Sequence, residues 1–137
     1  DDALVVAKFN SIKLDVFDRI NFIKSNWNDN VDEKFDIIIS NPPYIETDII
    51  EKLDVDVKEY DPILALDGGN DGLEFYRKII KEAPNYLKLG SCLCLEIGYD
   101  QKQEVFDIFK NYKTYSDIYS KKDLYGNDRI IIARLDI

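Results

Sequence analysis

Apolar residues recur at helical intervals from Ala3 to Leu14 behind an acidic start, which predicts a first helix. Ile20-Asn21-Phe22-Ile23 is short and apolar and reads as a strand, and Ser25 to Asn30 is a polar loop holding the only tryptophan, Trp27. The β-branched run from Phe35 to Ser40 fits a central strand buried on both faces. It stops at Asn41-Pro42-Pro43-Tyr44, because two prolines cannot continue a ladder. A short acidic helical stretch follows in 46–66. Asp67 to Gly72 then predicts a turn, with Asn70 or Asp71 capping the next helix. That helix aligns Leu73, Tyr76, Ile80, Ala83 and Leu87 on one face, with a kink at Pro84 and an end at Gly90. Cys92 to Ile97 reads as a buried strand and Gln101 to Tyr112 as an amphipathic helix. Tyr115 to Tyr119 and Arg129 to Leu135 form a last strand pair, made antiparallel by the short turn Tyr125-Gly126-Asn127-Asp128.

Helices alternating with strands predict an open α/β sheet whose parallel strands are joined by right-handed crossovers. Ligands in such sheets sit at the carboxyl ends of strands, where Asn26-Trp27 and Asn41-Pro42-Pro43-Tyr44 fall. Composition narrows the chemistry. With 18 basic against 27 acidic residues the chain carries a net charge of −9, which argues against gripping a phosphate backbone as its main work. The absence of histidine removes Ser-His and Cys-His nucleophilic machinery and histidine-based metal sites. No apolar run approaches the roughly 20 residues of a membrane span, and no charged-then-apolar leader opens the chain. Cys92 and Cys94, two apart on a strand, read as small hydrophobes in a reducing compartment, so a cytoplasmic protein is expected. With no methionine in its 137 residues, the chain also reads as a processed product or a piece of something longer.

The chemistry concentrates in the turn after the second strand. Pro42 biases Asn41 away from helical backbone, and the Pro42-Pro43 pair stiffens the turn. The Asn41 side-chain oxygen beside the Pro42 carbonyl makes two acceptors aimed at one point, which suits an –NH2 group with two hydrogens to donate. Tyr44 adds a ring face against which a flat amide or base can stack. An amide nitrogen is a poor nucleophile because its lone pair is delocalised; two placed acceptors present it to an electrophile without a general base. A rigid turn with no chemistry is the plainer alternative.

Ile39-Ser40-Asn41-Pro42-Pro43-Tyr44-Ile45 resembles the motif of amino-group methyltransferases that use S-adenosylmethionine, shared by adenine-specific DNA methyltransferases and protein-glutamine methyltransferases. Leu64-Ala65-Leu66-Asp67-Gly68-Gly69, Asp71-Gly72-Leu73, Tyr76-Arg77, Leu95-Glu96-Ile97-Gly98 and Asp123 to Arg129 follow in order. Together they resemble the HemK/PrmC family, which methylates the glutamine of the Gly-Gly-Gln motif in peptide-chain release factors. The resemblance implies a Rossmann-like class I methyltransferase sheet with an antiparallel C-terminal pair. It also implies that Asn41 and the Pro42 carbonyl hold the glutamine amide within Asn41-Pro42-Pro43-Tyr44, with Tyr44 packed against it. Asn26, Trp27 and Asn41 would border the cofactor, with Trp27 along the adenine; many members have an acid in place of Asn26. Asp61-Pro62 stands where members commonly have Glu-Pro.

The family's Gly-rich turn, first two strands and N-terminal helical domain have no counterpart in residues 1–137, so a partial catalytic domain is expected. Two alternatives stand beside release-factor methylation: amino-group methylation of nucleic acid, and an inactive fragment that cannot bind cofactor. Unpaired strand edges would favour self-association. Plainer roles cover the remaining candidates. Asp67 to Gly72 reads as a turn and cap, the acids from Asp48 to Asp61 as a solvated face, and Asp128-Arg129 as a turn and strand-start pair. Glu96 faces either the cleft or a structural hydrogen bond.

Overall fold

The computed structural model describes residues 2–27, 29–53 and 62–136, in two compact units that divide after Glu33. The first unit holds helix α1, Asp2–Lys13, followed by a single 3-10 turn at Phe17–Arg19. In α1 only Ser11 is buried, its hydroxyl donating to the Lys8 carbonyl at 2.7 Å. Phe17 and Phe22 stack with ring centroids 6.0 Å apart. The expected strand at Ile20-Asn21-Phe22-Ile23 does not form: these residues have no ladder partner among the described residues, and four residues alone do not make a sheet.

The second unit is built on strands β1 (Phe35–Ser40), β2 (Leu87–Glu96), β3 (Tyr115–Lys122) and β4 (Asp128–Leu135). They lie in the order β1-β2-β4-β3, with β1 parallel to β2 and the remaining neighbours antiparallel. The helices are α2 (Thr47–Ile50), α3 (Glu74–Glu82) and α4 (Lys102–Lys110). The expected alternation, parallel pair and antiparallel C-terminal pair are all present.

Three expectations need correction. β1 is an edge of the described sheet rather than a central strand, with Ile37 57% and Ile39 79% exposed, although its β-branched sequence is that of a strand covered on both faces. The helix α3 ends at Glu82, not at Gly90. Pro84 cannot give the N–H that would reach the Ile80 carbonyl, so the chain tightens into a 3-10 turn at Ala83–Asn85 and enters β2 at Leu87. The buried Tyr115 hydroxyl donates to the Ile80 carbonyl instead, at 2.8 Å. Gly90 lies within β2 at φ +82, where the chain loops out: Phe35 faces Leu87, but Ile37 faces Cys92.

The core follows the strand period. Leu93, Leu95 and Ile97 are fully buried, while Cys92, Cys94 and Glu96 on the alternate positions are half-buried. Burial, and then the neighbouring Cys92, push the Cys94 thiol up, and both cysteines are free, in keeping with their reading as small apolar fillers. Tyr76, Ile80, Val105 and Phe109 complete the core from α3 and α4. No described helix is long and apolar enough to cross a membrane.

Candidate functional site

The parallel pair delivers its two carboxyl ends together. Ser40 faces Leu95, so the next residues along the two chains are Asn41 and Glu96. Pro42 is buried, Pro43 and Tyr44 are half-buried, and Asn41 stays exposed. The chain is then fastened to the glycine turn. The Ile45 N–H donates to the Leu66 carbonyl at 3.0 Å, and the Gly68 N–H donates to the Ile45 carbonyl at 2.8 Å. The Thr47 N–H reaches the Gly69 carbonyl at 3.0 Å, and its hydroxyl reaches Asp67 Oδ1 at 2.7 Å. Gly68 is needed here for closeness: a Cβ on it would stand 2.7 Å from Tyr44 Cα. Among the described residues, neither the Asn41 side chain nor the Pro42 carbonyl enters a hydrogen bond. The two acceptors therefore stand free on a turn whose downstream side is pinned.

Two tyrosines flank this turn. The Tyr44 hydroxyl donates to Glu96 Oε1 at 3.4 Å, and burial, then the Glu96 charge, raise it above the ordinary tyrosine range against a smaller opposing pull from Arg129. Tyr76 is fully buried, donates to the Glu96 carbonyl at 3.0 Å, and is raised further by burial and by its neighbours Tyr44 and Glu96. Both stay protonated at neutral pH, so neither serves as a base. An open cleft of about 680 Å³ adjoins Tyr44, lined also by Glu46, Leu73, Tyr99, Gln101 and Arg129 among others.

Asn41, Pro42, Pro43 and Tyr44 are thus brought together in the second unit, whereas Asn26 and Trp27 belong to the first. Asn26 is exposed. Trp27 is half-buried at φ +63, a conformation that costs a bulky residue energy, and its indole N–H is buried without a hydrogen-bond partner. Asp61, of the Asp61-Pro62 pair, lies outside the described residues, as do the acids Asp54, Asp56 and Glu59.

The other candidates resolve structurally. Asp71 accepts from the Leu73 N–H at 3.2 Å just ahead of α3, whose N-cap is Leu73, and pairs with Arg77. Asp128 and Arg129 do not pair with each other. Asp128 accepts from Ser120 at 2.7 Å and from Lys102 at 3.1 Å, whereas Arg129 lies 3.5 Å from Asp123 and donates to the Ile97 carbonyl at 3.0 Å. Glu96 faces the Tyr44 hydroxyl as well as forming part of β2. Sequence reasoning missed Gln101, whose side chain reaches the Tyr44 carbonyl at 2.9 Å. No local signal marks it, because its carbonyl partners on Tyr44 and Gly72 lie 57 and 29 residues away.

The sheet, a parallel pair continued by an antiparallel pair, has the form expected of a Rossmann-like class I methyltransferase. A crystal structure titled as a methyltransferase from Pyrococcus furiosus superposes with a TM-score of 0.64 at 22% identity, over 100% of this chain and 60% of that one. The chain belongs to the methylase family described as Eco57I restriction-modification methylase, which matches residues 6–95, and its relatives bear out the kinship with the HemK/PrmC family. It is 43% identical over 133 residues to the release factor glutamine methyltransferase of Agrobacterium fabrum, covering 97% of this chain and 46% of that protein. It is 47% identical over 130 residues to the release factor glutamine methyltransferase of Clostridium botulinum, covering 93% of this chain and 46% of that protein. The chain spans about half the length of these curated relatives.

Proposed function

We propose that the protein transfers a methyl group from S-adenosylmethionine to the side-chain amide nitrogen of a glutamine, that of the Gly-Gly-Gln motif in peptide-chain release factors. The observation that carries this reading is the pair of unengaged acceptors, Asn41 Oδ1 and the Pro42 carbonyl, on a pinned turn at the end of β1. The relatives named as release factor glutamine methyltransferases favour glutamine over other amides.

Asn41 and Pro42 accept the two amide hydrogens and fix the nitrogen's orientation. As positive charge grows on that nitrogen, both bonds become charge-assisted, so they strengthen most in the transition state. Tyr44 packs its ring against the amide plane and keeps water from one face. Asn41 would border the cofactor, as the resemblance implies. When bound, S-adenosylmethionine supplies an electrophilic methyl group on a sulfonium. The proton released from the nitrogen leaves to solvent, which reaches the exposed Asn41.

A second reading, methylation of an amino group in nucleic acid, is favoured by the restriction-modification methylase family match and disfavoured by the net charge of −9. Incubating the protein, as its gene encodes it, with labelled cofactor and either a release factor or DNA separates the two. Label on the release-factor glutamine supports the first reading, and label on DNA alone overturns it.

A further inference from the structure

We propose that Gln101 is a positioning residue for the amide-holding turn: its side-chain amide ties the end of β2 to the Tyr44 and Gly72 carbonyls and so sets where Asn41 and the Pro42 carbonyl stand. The inference rests on the proposed methyl transfer for its kinetic consequences, but its geometry stands apart from that reading.

Gln101 opens α4, directly after the Gly98-Tyr99-Asp100 turn that leaves β2. Its backbone N–H closes that turn by donating to the Gly98 carbonyl at 3.1 Å. The side chain doubles back. Nε2 donates to the Tyr44 carbonyl at 2.9 Å and to the Gly72 carbonyl at 3.4 Å. Oε1 accepts from the Gly98 N–H at 3.0 Å and lies 3.4 Å from the Tyr76 hydroxyl. Two carbonyls on one end and the Gly98 N–H on the other fix the amide in one orientation, since a flipped amide would meet like with like at these three contacts.

The surroundings are shaped to admit this side chain. A Cβ on Gly98 would stand 2.7 Å from Oε1, and a Cβ on Gly72 would stand 2.7 Å from Nε2 and collide with the Tyr44 carbonyl oxygen. Gly72 also sits at φ +67, so the turn needs glycine there twice over, for backbone angle and for room. One residue joins three chain segments: the turn after β1, the glycine turn before α3, and the turn after β2.

The consequence is kinetic. The Tyr44 carbonyl is two residues beyond Pro42 along a stiff diproline turn, so a shift at one end moves the acceptors at the other. A misplacement of about 1 Å at a reacting group costs on the order of 10²-fold in rate. Most of the binding of a large protein substrate lies outside the reacting amide, so the loss should fall on kcat.

The test uses the protein as its gene encodes it, with Gln101→Met, which fills the same volume without the amide, and Gln101→Glu, which keeps Oε1 as acceptor for Gly98 but loses the donor. Both should lower kcat on release factor by roughly 10- to 10²-fold, with KM within about threefold. A role as mere filler would leave Gln101→Met at the wild-type kcat, and that result overturns the proposal. Hydrogen exchange at the Gly98 N–H, read in the same variants, is independent of activity. Exchange should quicken at least about tenfold in Gln101→Met and much less in Gln101→Glu. Unchanged protection in Gln101→Met overturns the clamp even if the wild type methylates no release factor, whereas an inactive wild type with quickened exchange sinks only the proposed function.

Discussion

Replacing Tyr115 with Phe takes one hydroxyl out of the core and leaves the ring where it is, edge-on to Phe109 with centroids 5.0 Å apart. That hydroxyl donates to the Ile80 carbonyl at 2.8 Å, the carbonyl that Pro84 leaves without its helical partner. Tyr115 is buried, so water does not substitute for the lost donor. Leaving a buried carbonyl unsatisfied costs about 1–3 kcal/mol. For a chain of this size each kcal/mol lowers Tm by about 3–4 °C, so Tyr115→Phe should melt roughly 3–12 °C below the wild type. Burial also pushes the Tyr115 hydroxyl far above the ordinary tyrosine range, so the bond should persist through mildly alkaline pH. The decisive assay is a double-mutant cycle by urea denaturation. Pro84→Ala restores a backbone N–H four residues after Ile80, so in that background Tyr115→Phe should cost less, by at least about 0.5–1 kcal/mol. An equal cost in both backgrounds, or a cost below about 0.3 kcal/mol in the wild type, refutes the substitution of hydroxyl for helix donor.

Other parts of the account are checked as simply. Asp67 is held below its usual carboxylate range by hydrogen bonds from Thr47 and then from the Gly69 N–H, so this contact contributes stability above about pH 4 and loses it as pH falls through the lower folded value. Asp67→Asn should flatten that acid limb of a stability profile measured by thermal melts, and an unchanged limb would count against the contact. Tyr44→Phe loses only a long bond to Glu96 and should keep kcat within about threefold, whereas Tyr44→Ala removes the ring face and should lose on the order of 10²-fold. Equal losses in the two variants, by steady-state methyl transfer, would shift the role from the ring to the hydroxyl.

Much of this was legible in the sequence because local rules and tertiary packing agree there. The β-branched run ending in Asn41-Pro42-Pro43-Tyr44 forces a strand and a stop, and the acceptor chemistry follows from residue types alone. Where reading failed, a distant partner decides. Ile20 to Ile23 has strand composition but no ladder partner among the described residues, and a strand exists only as a pair. Leu87 fits the helical spacing after Ile80 and Ala83, yet the lost N–H at Pro84 ends the helix, and the Phe35 N–H captures the neighbouring Tyr86 carbonyl at 2.8 Å. Gly90 suits a helix end as well as a bulge in the sequence, because the positive φ that glycine allows serves turns and bulges alike. Gln101 was invisible for a different reason: its partners Tyr44 and Gly72 lie 57 and 29 residues away, and no local pattern encodes that meeting.

The central claim is that Asn41 and the Pro42 carbonyl hold a glutamine amide for methylation. Its most direct test is mass spectrometry of a release factor after incubation with cofactor and either the wild-type protein, as its gene encodes it, or Asn41→Ala. The account predicts one added methyl on the glutamine of the Gly-Gly-Gln motif with the wild type, and a rate lowered by roughly 10²- to 10³-fold with Asn41→Ala. Methylation at another residue, or at an undiminished rate without Asn41, would contradict it.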